Sequence, residues 1–106
     1  MAKDTSRIIK KWHCVTSYDH ITPKESGCYA IYKYNLDTKK SQLLYIGTAQ
    51  NLYIRLKKHP VVRVLRSLLE GSEIPMVKCK IITDKKLRLK TEQTLIARLR
   101  PKVNCE

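Results

Sequence analysis

Acidic residues are scarce in this chain, paired cysteines are absent, and so is any long apolar run; each shortage closes off a class of protein. Only 9 Asp and Glu stand against 22 Lys and Arg in 106 residues, a formal charge of +13. That excess points to a polyanion partner, nucleic acid first, although a ribosomal or chromatin-type binder would show the same balance. Cys14, Cys28, Cys79 and Cys105 form no C-x-x-C pair and no zinc-like spacing. A redox motif and a metal knuckle are thereby excluded, and free thiols in a reducing cytoplasm are the expectation. No segment approaches the roughly 20 apolar residues of a membrane span, and the basic N-terminus lacks the apolar stretch of a signal peptide. The expected location is cytoplasmic, with no membrane contact. No repeat, low-complexity tract or linker interrupts residues 1–106, so a single domain is expected, with enough Leu, Ile, Val and Tyr for one core.

What is present reads as alternating strand and helix signals. Turn chemistry through Pro23 and Gly27 leads into a strand over residues 28–34, rich in aromatic and β-branched side chains. A polar connection over residues 35–40 joins it to a second strand over 42–46, which makes a hairpin. Residues 48–51 offer capping side chains for a helix over 52–59 that Pro60 stops. A second helix is expected over 61–70, ended by Gly71, and then a strand over 76–83 after Pro75. Asp84 caps a last helix over 85–100, which Pro101 terminates. The expected fold class is α+β: a small three-stranded antiparallel sheet flanked by helices.

Chemistry-bearing residues gather on these elements. Tyr29 shares a strand face with Ile31 and Lys33, and Tyr45 shares one with Gly47, so hairpin pairing can bring two phenols together. Gly47 lets a phosphate or backbone approach closely. Arg55 and His59 lie on one stripe of the first helix with Leu52. A guanidinium fork fits two phosphate oxygens, and an imidazole moves protons near neutral pH. Each also has a plain reading, as a basic surface residue and as a helix C-terminal imidazole. Glu92 precedes the apolar residues Leu95 and Ile96 on the inner side of the last helix. A carboxylate facing inward needs positive charge, either a hard divalent cation such as Mg²⁺ or an ion pair with Arg55 or a lysine. Asn104 can donate and accept hydrogen bonds and so orient a neighbour.

Taken in order, Gly27-Cys28-Tyr29, Tyr45-Ile46-Gly47, Asn51-Leu52, Arg55, His59, Glu92 and Pro101-Lys102-Val103-Asn104 resemble the GIY-YIG nuclease family, over a core of residues 27–104. The spacings are similar to those of its excision-repair branch. The resemblance implies an endonuclease that hydrolyses phosphodiester bonds of DNA with one divalent metal, Mg²⁺ or Mn²⁺. Under it, Glu92 holds the metal and Arg55 stabilises the charge growing on the phosphate. Tyr45 or Tyr29 positions or deprotonates the attacking water, His59 serves the proton relay or leaving group, and Asn104 orients the site. A non-catalytic nucleic-acid-binding module on the same fold is the alternative. Cys28 replaces an aliphatic residue with its side chain directed away from Tyr29, and Thr48 stands where some relatives place a lysine. Larger members append DNA-binding or partner domains; with none among these residues, target selection is expected to be weak or to rest on an oligomer or partner protein.

Overall fold

The computed structural model describes residues 9, 11–15, 24–58 and 69–104. Its elements run β1 (His13–Val15), β2 (Gly27–Asn35), β3 (Ser41–Ala49), α1 (Leu52–Lys57), β4 (Glu73–Ile81) and α2 (Lys85–Leu99). The strands form one antiparallel sheet in the order β1-β4-β2-β3. The three expected strands are its main body. Three residues of β1 extend it at one edge, a strand too short to announce itself by alternation. The expected third strand begins earlier than its sequence signals suggest, because Pro75 lies inside β4, paired with Lys33. A proline is tolerated there because β1 reaches only as far as Val77, leaving that part of β4 without a partner on its other side among the described residues. Of the helix expected over residues 61–70, only Leu69 and Glu70 are described, and neither is helical.

β2 is central, and from Gly27 to Ile31 every residue is buried. Its side chains divide between two cores. Tyr29 and Ile31 join Leu44, Leu52, Leu56, Val77 and Cys79 beneath α1. Cys28 and Ala30 join Ile9, Trp12, Ile46, Ile82 and Leu95 beneath α2. A strand covered on both faces has no reason to alternate polar and apolar residues, which is why β2 reads as a nearly continuous apolar run. Between Ile31 and Tyr32 the register with β3 shifts, placing Leu44 opposite no single residue. Leu44 and the half-buried Tyr45 both pack with the α1 core, as expected when a bulge breaks strict alternation.

The helices start and stop on local chemistry. The Asn51 side chain accepts from the Ile54 N–H at 3.1 Å and caps α1; Asp84 accepts from the Leu87 N–H at 2.9 Å and caps α2. Arg100 ends α2 in the left-handed region, φ 47°, with its N–H on the Ile96 carbonyl and Pro101 next in the chain. The inner stripe of α2 runs Arg88, Glu92, Leu95, Ile96 and Leu99, the period expected of a helix laid on a sheet. Among the described residues no helix is long and apolar enough to cross a membrane.

Candidate active site

The hairpin register decides the first half of the site. Tyr29 pairs with Gly47 and Ile31 with Tyr45, so the two tyrosines sit diagonally on the face that α1 covers. Their rings lie 6.1 Å apart, nearly parallel at 22°. Gly47 makes that possible: a Cβ there would collide with the Tyr29 hydroxyl, stand 2.6 Å from Tyr29 Cζ and 2.9 Å from Tyr45 Cε1. Gly27, at the start of β2, is equally required, since a Cβ would run into the Lys80 carbonyl oxygen and come within 3.0 Å of Leu52 Cδ1. The two motif glycines therefore serve packing of rings and backbone.

α1 then delivers the cation. The Leu52 N–H donates to the Glu25 carbonyl at 3.0 Å, which fixes the start of the helix against the entry to β2. Leu52 and Leu56 are buried, and Arg55, between them on the helix flank, is exposed. Its Nε donates to the Tyr29 hydroxyl at 3.4 Å. That hydrogen bond first, with a further contribution from Tyr45, holds the guanidinium even more firmly protonated than usual. Burial pushes the Tyr29 phenol up to about 12; the Arg55 hydrogen bond and charge act against this, while Tyr45 and Glu92 add to it. Tyr29 therefore keeps its proton near neutral pH.

Glu92 arrives from the other face, on α2. It is half-buried, and its carboxyl is raised above the usual carboxylate range by desolvation. Among the described residues the salt bridge present is Lys33–Glu73, so the ion pair that the sequence left open for Glu92 is not formed there. Its charge nevertheless reaches both Tyr29 and Cys28. Cys28 is fully buried, donates to the Arg88 carbonyl at 3.4 Å and is pushed up to about 11, chiefly by burial, so its thiol is packing material.

Asn104 meets the site through the backbone. Its Oδ1 accepts from the Ile46 N–H at 2.7 Å and its Nδ2 donates to the Ile46 carbonyl at 3.1 Å. β3 is the sheet's other edge, and Asn104 closes its outward groups in the middle of Tyr45-Ile46-Gly47. The Lys102 and Val103 N–H groups continue the seam to the Leu43 and Leu44 carbonyls at 3.3 and 2.8 Å. The chain after α2 thus straps the edge strand and holds Tyr45 in place. Asn104→Ala should lower stability by about 1–3 kcal/mol, because two partly buried backbone groups are left without partners. The midpoint of urea unfolding at constant m-value measures this, and an unmoved midpoint would mean the strap contributes nothing.

The structure thus brings Tyr29, Tyr45 and Arg55 together, places Glu92 within electrostatic reach of Tyr29, and puts Asn104 behind Tyr45; His59 lies outside the described residues. Arg88 was not foreseen. It is 7 % exposed, and Nη1 donates to the Ile82 and Thr83 carbonyls at 3.2 and 3.1 Å, tying α2 to the end of β4 one turn before Glu92. Extending the inner stripe of α2 back by four residues from Glu92 would have found it.

No curated protein sequence matches the chain. Among solved structures it is similar to the GIY-YIG N-terminal endonuclease domain of UvrC from Thermotoga maritima. One form of that domain, a point mutant bound to its catalytic divalent cation, aligns over 100% of both chains at 20% identity with a TM-score of 0.55. Another, bound to magnesium, aligns over 98% of this chain and 99% of that one at 23% identity with a TM-score of 0.53. The likeness establishes the shared fold. The family model of the GIY-YIG catalytic domain matches residues 25–104, from the turn before β2 to the Asn104 strap. The chain therefore belongs to the GIY-YIG family and is an endonuclease of that type.

Proposed function

We propose that the protein is a divalent-metal-dependent endonuclease that hydrolyses phosphodiester bonds of DNA at the surface formed by Tyr45, Arg55 and Glu92. The observation that carries this is the half-buried Glu92 carboxylate, aligned with apolar residues yet without a salt bridge among the described residues. Among those residues no group of three or more His, Cys, Asp or Glu gathers to cage an ion. One carboxylate suits Mg²⁺ or Mn²⁺, which keeps waters and takes further oxygens from a substrate phosphate. Bound there, the metal supplies Lewis-acid stabilisation of charge on the phosphate. The solved UvrC domains carry such a cation, magnesium in one of them, which supports the assignment.

The chain's own groups divide the remaining work. Arg55, always charged and exposed beside the phenols, clamps the scissile phosphate and stabilises its developing negative charge. Tyr29 keeps its proton and, with Tyr45, seats Arg55; positioning the attacking water is assigned to Tyr45, which takes the water's proton in its phenolate form, beside the positive charge of Arg55. His59 is assigned the proton relay to the leaving oxygen, four residues beyond Arg55. Asn104 is a positioning residue, acting on Tyr45 through the Ile46 peptide. The +13 charge supplies salt-sensitive attraction for the polyanion.

The direct test is plasmid cleavage with Mg²⁺, Mn²⁺ or EDTA. Nicking with either metal and none in EDTA is expected. Tight DNA binding without cutting in any metal would favour the binding module instead.

A further inference from the structure

Two lysines from separate segments converge on one tyrosine beside the site. Lys24, in the turn before β2, and Lys57, in the last turn of α1, hold their Nζ atoms 5.8 and 5.6 Å from the centroid of the Tyr53 ring. Tyr53 and Lys57 are four apart and share a helix flank; Lys24 is brought to them by the Leu52–Glu25 backbone hydrogen bond. Both lysines are exposed and Tyr53 is half-buried. Neither ammonium joins a salt bridge among the described residues. A ring face contributes only about 0.5–1 kcal/mol to an exposed cation. Two ammonium groups held on one ring, neither in a salt bridge among the described residues, favour an anion beside them.

The position says which anion. Arg55 lies about 200° around the α1 axis from Tyr53, on the other side of the buried Leu52–Leu56 stripe. The two flanks are a helix width apart, roughly 10–12 Å. A duplex strand advances at least about 3.4 Å of axis per phosphate, so a strand cut at Arg55 that crosses α1 reaches this flank within about three nucleotides.

We propose that Lys24, Tyr53 and Lys57 form a phosphate-backbone contact that holds the DNA strand within about three nucleotides of the cut, Tyr53 serving as the support for the two ammonium groups. This rests on the endonuclease reading above. The same cluster gives target binding a fixed register relative to Arg55 with no base readout, because phosphate contacts position without specifying sequence.

The test compares wild type, the double variant Lys24→Ala/Lys57→Ala, Tyr53→Phe and Tyr53→Leu. Duplex binding is measured by anisotropy in EDTA across a salt series, and cutting kinetics with Mg²⁺. The double variant should flatten the log K against log salt slope by about 1, near 0.9 for the one phosphate that is no longer neutralised. Its KM should rise while kcat stays within about twofold. Tyr53→Phe, which keeps a ring, should behave as wild type, and Tyr53→Leu should move toward the double variant. A neutral methylphosphonate placed in turn at each position within about three nucleotides of the cut should, at one of them, weaken wild-type binding and leave the double variant unaffected. If wild type cuts DNA and the double variant keeps its salt slope, the proposal is refuted and the nuclease stands. A fall in kcat instead of a rise in KM would also refute it, since the lysines would then be shaping the seat of Arg55. If wild type neither cuts nor binds DNA, the endonuclease reading fails and the phosphate site fails with it.

Discussion

Glu92→Gln should reduce cutting by about a thousandfold or more while leaving salt-sensitive DNA binding almost unchanged. The size follows from the several kcal/mol that a metal contributes to charge stabilisation at the phosphate, at 1.36 kcal/mol for each tenfold. Binding survives because it is spread over many of the 22 Lys and Arg. A second readout separates a missing ligand from a damaged fold. Glu92 has a carboxyl raised by desolvation, so between the ordinary carboxylate range and its folded value the native state binds more protons than the unfolded chain. Without metal, its contribution therefore makes stability fall as pH rises through that window. Glutamine removes the titration, so in EDTA the variant should be at least as stable as wild type at neutral pH, with the pH dependence flattened. With Mg²⁺ the order should reverse, because only the wild type gains stability from binding the ion. The acid limb of wild-type cutting should move to lower pH as Mg²⁺ is raised, since the ion binds the ionised carboxylate in competition with the proton. Equal cutting by Glu92→Gln, or an unstable variant in EDTA, would remove the metal-ligand assignment.

Arg55→Ala should cost about 10²–10³ in kcat, the range for loss of one charge-stabilising donor at an acyl or phosphoryl centre. Its effect on folding should be small, because the guanidinium is exposed and its hydrogen bond to Tyr29 is long, 3.4 Å. Arg55→Lys should recover only part of the rate: the ammonium restores the charge but not the two-pronged fit to phosphate oxygens. The alanine variant also removes the two influences that hold the Tyr29 phenol down, so its titration should move further up. Burst or single-turnover cutting on a short duplex reads the chemical step directly. A rise in KM with kcat unchanged would make Arg55 a binding residue and shift the charge-stabilising role elsewhere.

The strands and caps were legible because each rests on local chemistry. The turn through Asn35 is one case: its Oδ1 accepts from the Asp37 and Thr38 N–H groups at 2.9 and 3.0 Å, as a polar connection between two strands should. The Asp84 cap and the stop at Pro101 are others. β1 was not legible, since three residues carry no periodic signal and gain strand form only by pairing with β4. Nor was Pro75 inside β4, whose tolerance depends on its lying beyond the β1 pairing, which ends at Val77 among the described residues.

For the candidate site, the sequence alone determined which faces carry the candidate residues, because periods of 2 and 3.6 assign faces and faces limit which side chains can meet. What singled out two tyrosines on hairpin strands, an arginine and a histidine on the following helix, a glutamate on the inner stripe of the last one and an asparagine after its proline stop was the resemblance of their order and spacing to the GIY-YIG family. What only the tertiary structure decided was which groups touch. The register, with its bulge at Ile31/Tyr32, set the tyrosine rings 6.1 Å apart. Sheet order made β3 an edge and so turned Asn104 from an expected site residue into a clamp on the Ile46 peptide. The fold also seated Lys24 and Lys57 on Tyr53 and buried Arg88 at the end of β4. Each of these depends on how elements meet in space, and that meeting is settled by the packing of whole elements, a property that no local pattern of residues contains.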